Sequence, residues 1–123
     1  MEPLDKFGEF IVTKFRDQAI DSADGLLAGR WKSPATQVLQ AELARLSSSQ
    51  RELVRRVVLK SVDNGLHDFL FALGEAHDFE RGIAVVVDGQ DVAALSDGLQ
   101  GEPFSDEGWF ARFSKHGAYA DPA

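Results

Sequence analysis

Past Glu75 the hydrophobic spacing of this chain changes period, and that change limits what it can fold into. Before it, apolar residues recur every three or four positions, the spacing of one helix face. After it comes a β-branched run, Ile83-Ala84-Val85-Val86-Val87, closed by Asp88-Gly89. Such a run before an Asp-Gly pair reads as a strand entering a turn. Trp109-Phe110-Ala111-Arg112-Phe113 alternates and reads as a closing strand. Helices first and strands last predict an α+β fold. The expected form is an N-terminal three-helix body with a long central helix, beside a small C-terminal antiparallel sheet of two or three strands.

The first helix is expected from Pro3 to about Ser22. Pro3 suits a first helical position, and Leu4, Phe7, Ile11 and Phe15 share a face that Phe10 widens. Asp24-Gly25 is the expected stop. The second helix opens at Ser33-Pro34 and carries Val38, Leu39, Leu43 and Leu46 as far as Ser47-Ser48-Ser49. The third opens on Ser49-Gln50-Arg51-Glu52, a capping-box pattern. Val54, Val58, Val62, Leu66 and Leu70 then form an i+4 ladder that crosses Asn64-Gly65 in phase, which predicts one helix to about Glu75. Gly65, on the apolar side, marks either a close helix approach or a break. Leu66 to Leu73 is apolar on more than one side, so this half is expected to be buried and central. A hinge at 74–82 leads to the strand 83–87, a weaker return over 91–95, a loop to Gly108, the strand 109–114, and a frayed tail from Lys115. At 123 residues this is one domain, 1–123, with a helical part at about 3–76 and a strand and loop part at about 82–114.

The chain has no cysteine, which excludes disulfides, thiolate nucleophiles and Cys-based zinc sites. No window of 18 apolar residues predicts a membrane span, and the first residues lack a basic, apolar leader. A soluble protein of the bacterial cytoplasm is the expectation. The net charge of −7 is uneven. Residues 1–62 hold ten Lys/Arg and eight Asp/Glu, net +2, and residues 63–123 hold three and twelve, net −9. An acidic half repels phosphate, so nucleic acid is not an expected partner. It suits a basic protein.

Four constellations bear on chemistry. His67-Asp68-Phe69 recurs as His77-Asp78-Phe79, and imidazole beside carboxylate suits acid–base or metal work. Ten residues turn a helix by about 280°, however, so the two imidazoles do not share a face. The loop Ser96 to Glu102 holds Asp97 and Glu102 between glycines, a spacing that matches neither a phosphate loop nor a calcium loop. In a strand Trp109, Ala111 and Phe113 would share one face and Phe110 and Arg112 the other. Trp109, Phe110 and Arg112 with Asp97 and Glu102 are the expected binding surface, because aromatics and arginine dominate interface hot spots. Arg55 lies on the apolar ladder and is expected to pair with Asp88, Asp97 or Glu102 across the two halves, since an unpaired buried charge is costly. No catalytic, nucleotide or metal signature is present, and no cofactor or metal is implied. The expected function is a protein-interaction or regulatory, immunity-like module with a protein partner, or one that self-associates through the sheet. The alternative is a small enzyme or metal-binding protein using His67 and Asp68 with acidic loop residues.

Overall fold

The structure is a computed structural model that describes residues 1–119. Two helical segments, α1 (Pro3–Ile11) and α2 (Asp17–Leu27), are joined by a π turn at Val12–Arg16 into one rod. Then come α3 (Pro34–Ala44) and α4 (Ser48–Asp78), a ladder of β1 (Val86–Val87) and β2 (Gln90–Asp91), 3₁₀ turns at Val92–Leu95 and Leu99–Gly101, and α5 (Trp109–Phe113). The α+β architecture with a long third helix beside a small antiparallel sheet is present.

The π turn sets which side chains reach the core. A π turn inserts one extra residue into the helical repeat. The inward series is therefore Phe7, Ile11, Val12, Arg16, Ile20 and Ala23, rather than one continuing through Phe15. Phe15 and Phe10 are exposed. The rod also continues past Asp24-Gly25 to Leu27. Gly25 lies under the indole of Trp31, where a Cβ would come within 2.9 Å of the ring. The reversal falls instead at Gly29, whose φ is +69°.

Helix α4 is one 31-residue element, about 46 Å long at 1.5 Å per residue. It crosses Gly65 unbroken, as the ladder implies. Gly65 is exposed and a Cβ there would meet nothing within 4 Å, so it serves neither close packing nor a break. The cap begins two residues earlier than the Ser49–Glu52 pattern. Ser47 Oγ accepts from the Gln50 N–H at 3.2 Å, and Gln50 Oε1 accepts from the Ser47 N–H at 2.9 Å. The far half of α4 buries Leu66, Leu70, Leu73 and Ala76. Phe69 and Phe71 stay about half exposed, so this half is buried on one side, not all round.

The C-terminal third departs furthest from expectation. Only Val86↔Asp91 and Val87↔Gln90 pair, and no third strand joins them among the described residues. Residues 92–95 form a 3₁₀ turn rather than a returning strand. Trp109–Phe113 is helical, not a strand. Trp109 and Phe110 are both buried; a strand would send successive side chains to opposite faces, whereas adjacent helical positions share a broad inner stripe. The Trp109 and Phe110 N–H groups donate to the Glu102 and Pro103 carbonyls at 3.0 and 3.2 Å. This closes α5 onto the preceding loop. Trp109 packs edge-on to Phe7, ring centroids 5.8 Å apart, above Gly8. The core joins α1, the far half of α4, the 92–101 turns and α5.

Candidate functional site

The polar cluster deepest in the molecule centres on Arg16. Its side chain is fully buried. Nε donates to Asp63 Oδ1 at 2.7 Å and Nη2 to Oδ2 at 3.2 Å. Nη1 donates to Ser114 Oγ at 3.0 Å and to the Gly117 carbonyl at 2.7 Å, and the guanidinium lies 3.8 Å from the Phe110 ring centroid. Ser114 Oγ donates onward to Asp17 at 2.6 Å, and the Lys115 N–H to the same carboxylate at 3.1 Å. Lys115 Nζ and His116 Nε2 meet Asp21 at 2.5 and 2.9 Å. The lysine ammonium, and after it the imidazole, holds the Asp21 carboxyl below its ordinary range, and the pairing raises Lys115. Four of the five guanidinium N–H groups are matched by oxygens, and the cluster acts as a clasp. Residues 114–119 are thus docked rather than frayed; the rest of that tail, 120–123, lies outside the described residues.

Sequence reasoning passed over Arg16 and Asp17 and gave Asp63 no part in a buried pair. A signal exists: Val12, Arg16, Ile20 and Ala23 are spaced as one helix face, but only an extra residue near Val12 brings Ile11 onto it as well.

Arg55 forms the expected ion pair with an unexpected partner. Nε lies 2.7 Å from Asp24 Oδ1 and Nη2 3.3 Å from Oδ2, with both side chains about one-third exposed. This hydrogen bonding raises Arg55 above its ordinary pKa. Asp88, Asp97 and Glu102 are not its partners; Asp88 accepts from Lys6 at 2.7 Å. The reason is that α2 runs on through Asp24 and packs against α4, so a carboxylate is already beside Arg55.

The expected binding surface is dispersed. Trp109 and Phe110 are 0% and 1% exposed, so neither can touch a partner. Arg112 is at the surface but gripped by Asp5, at 2.9 and 3.2 Å. That pairing holds the Asp5 carboxyl below the usual carboxylate range and raises Arg112. Glu102 accepts from Ser96 Oγ at 2.7 Å, and the Gly98 N–H donates to the same hydroxyl at 3.2 Å. Asp97 is exposed. The polar alternative fares no better as a constellation. His67 Nδ1 lies 3.1 Å from Asp68 on an exposed helix face, with its ring against Phe104 at 6.0 Å. His77 pairs with Asp91 at 3.2 Å. Among the described residues no group of three or more His, Asp or Glu side chains could hold a metal ion.

What the C-terminal half does present is a groove of about 330 Å³ between the far half of α4 and the loop 96–100. Phe71 and Phe79 line its helix side, Leu99 its floor, and Glu75, Asp78 and Asp97 supply three carboxylates. Arg81 covers the ring of Phe79 from 5.6 Å. Asp97 is the one expected binding residue that lies here. The groove is built by α4 overrunning the core. Leu70 and Leu73 hold its inner face on the 92–101 turns, and the next positions round the helix stand open. A wider cleft of about 650 Å³ lies between α2 and α3, lined by Leu26, Trp31, Lys32 and Leu39. No described helix is long and apolar enough to cross a membrane. Compared with known protein families, curated proteins and solved structures, the chain matches none.

Proposed function

We propose that this protein is a non-enzymatic interaction module that binds a basic protein segment in the acidic groove, in the manner of small regulatory or immunity-type proteins. The observation that carries the reading is the composition of the groove: Phe71 and Phe79 for apolar contact, Glu75, Asp78 and Asp97 for charge, and no lysine or arginine among its described lining residues. An apolar floor with a charged rim is how a groove takes one face of an amphipathic helix. The surrounding half carries net −9, which steers a basic partner inward. The alternative, a metal-binding or catalytic role, stands on His67 and Asp68 alone, with no loop carboxylate beside them.

The test is titration of isotope-labelled protein with a synthetic helical peptide that has one apolar and one Lys/Arg face. Saturable chemical-shift changes at Phe71, Glu75, Asp78, Phe79 and Asp97, abolished in Glu75→Lys/Asp78→Lys, are expected. Equal shifts with a scrambled peptide of the same composition, or shifts centred elsewhere, overturn it.

A further inference from the structure

The opposite end of the molecule is unfinished in a different way. Residues 26–58 contain ten Leu and Val side chains, yet the one residue buried there is Gln40. Helix α3 is inside out. Its Gln40 amide is turned in, holding the Trp31 N–H and carbonyl at 2.9 Å each. Val38 and Leu39 are 65% and 45% exposed. Across the next turn, Leu53 and Val57 on α4 are exposed too. A helix owes most of its stability to burying its apolar face, and exposed apolar patches of this kind mark contact surfaces. The stretch is also basic, with six Lys/Arg and two Asp/Glu, net +4. Asp24 answers Arg55, but Arg30, Lys32 and Arg45 stand exposed.

A basic, apolar arm and an acidic, apolar groove thus sit on one chain. They cannot meet within it. Val57 and Phe71 lie on the same unbroken helix, fourteen residues or about 21 Å apart, and the helix holds them at that distance. We propose that the occupant of the groove is the α3 arm of a second copy, so that the protein associates head to tail. Charge selects this pairing over the alternatives: arm against arm sets the exposed Arg30, Lys32 and Arg45 against like charges, and groove against groove sets carboxylate on carboxylate, whereas arm against groove is attractive. Such a contact is heterologous, so copies add until a ring closes or a filament grows. This inference rests on the groove reading for one of its two faces and goes beyond it in naming the partner.

Two surface variants test it by analytical ultracentrifugation: an arm variant, Val38→Glu/Arg45→Glu, and a groove variant, Glu75→Lys/Asp78→Lys. The wild type is expected to form concentration-dependent species larger than a dimer, weakened by salt. Each variant alone is expected to lose affinity about tenfold or more per reversed contact and to sediment as a monomer. Their equimolar mixture is expected to stop at a dimer, because one intact arm and one intact groove remain. Circular dichroism of both variants checks that they fold. A wild type that stays monomeric to millimolar concentration overturns self-association and leaves the peptide titration free to succeed. A groove variant that still dimerises shows arm-to-arm contact and overturns the head-to-tail arrangement. A mixture that stays monomeric overturns it as well.

Discussion

Gly8 and Gly65 are both helical glycines, and their surroundings give them opposite roles. A Cβ on Gly8 would be driven into the indole of Trp109, and one on Gly65 would enter open space. Alanine ordinarily favours a helix over glycine by roughly 0.5–1 kcal/mol. Gly65→Ala is therefore expected to raise stability by about that much. Gly8→Ala is expected to lower it by about 1–3 kcal/mol, the usual cost of overpacking a filled core. Urea titration of the two variants checks this, and shifts of the same sign in both would count against the packing described. At this scale the sequence was legible only in part. That Arg55 needed a carboxylate followed from its place on the ladder; that the carboxylate was Asp24 depended on where a helix two segments away came to an end. Arg16 and Asp63 were illegible for a related reason. They are 47 residues apart, and only the register shift at the π turn points one at the other.

At the scale of elements, long periodic signals survived and short ones did not. The Val54–Leu70 ladder gave one helix through Asn64-Gly65, because four consecutive i+4 steps have no other simple reading. WFARF was misread because apolar residues at 109, 110 and 113 fit a helical turn as well as an alternating strand. What decided it was the burial of both Trp109 and Phe110. The strand 83–87 shrank to a two-residue ladder for want of a third strand to extend it. The candidate binding surface fell with α5, since it depended on Phe110 facing out. Capping of α4 gives a direct check on register. Ser47→Ala removes the Oγ that receives the Gln50 N–H and is expected to cost about 1 kcal/mol. Ser49→Ala removes only an exposed hydroxyl contact with Ser47 and is expected to stay within about 0.5 kcal/mol. Thermal denaturation showing the larger loss for Ser49 would restore the later register.

For the molecule as a whole, charge closes the chain on itself. Asp5–Arg112 ties α1 to α5, and Asp21 with Lys115 and His116 ties α2 to the C-terminal segment. Both carboxyls are held below the ordinary value of 3.8. Lowered acids add stability that is fully present above that value and lost as pH falls through their folded values. The melting temperature is expected to be level with respect to these two groups between about pH 5 and 7 and to drop below about pH 4. Lys115, being raised, contributes below its unfolded pKa and loses that contribution only in strong alkali. Arg112→Gln/Lys115→Gln is expected to flatten the acid limb while costing little at neutral pH, since exposed pairs contribute about 0–1 kcal/mol each. An unchanged acid limb in that variant would assign the loss to other carboxylates.

The clasp around Arg16 has a consequence for the order in which the chain takes shape during synthesis. Its oxygens come from Asp63 and then from Ser114 and Gly117, 98 and 101 residues downstream. Until those residues leave the ribosome, the first helix carries a guanidinium on its inner face that water solvates better than any partial core does. Helices can form early, but contacts between distant segments must wait for the loop between them to close. The first helix is thus kept from settling against α4 until residues 114–117 have been made, and their docking is the step that completes it.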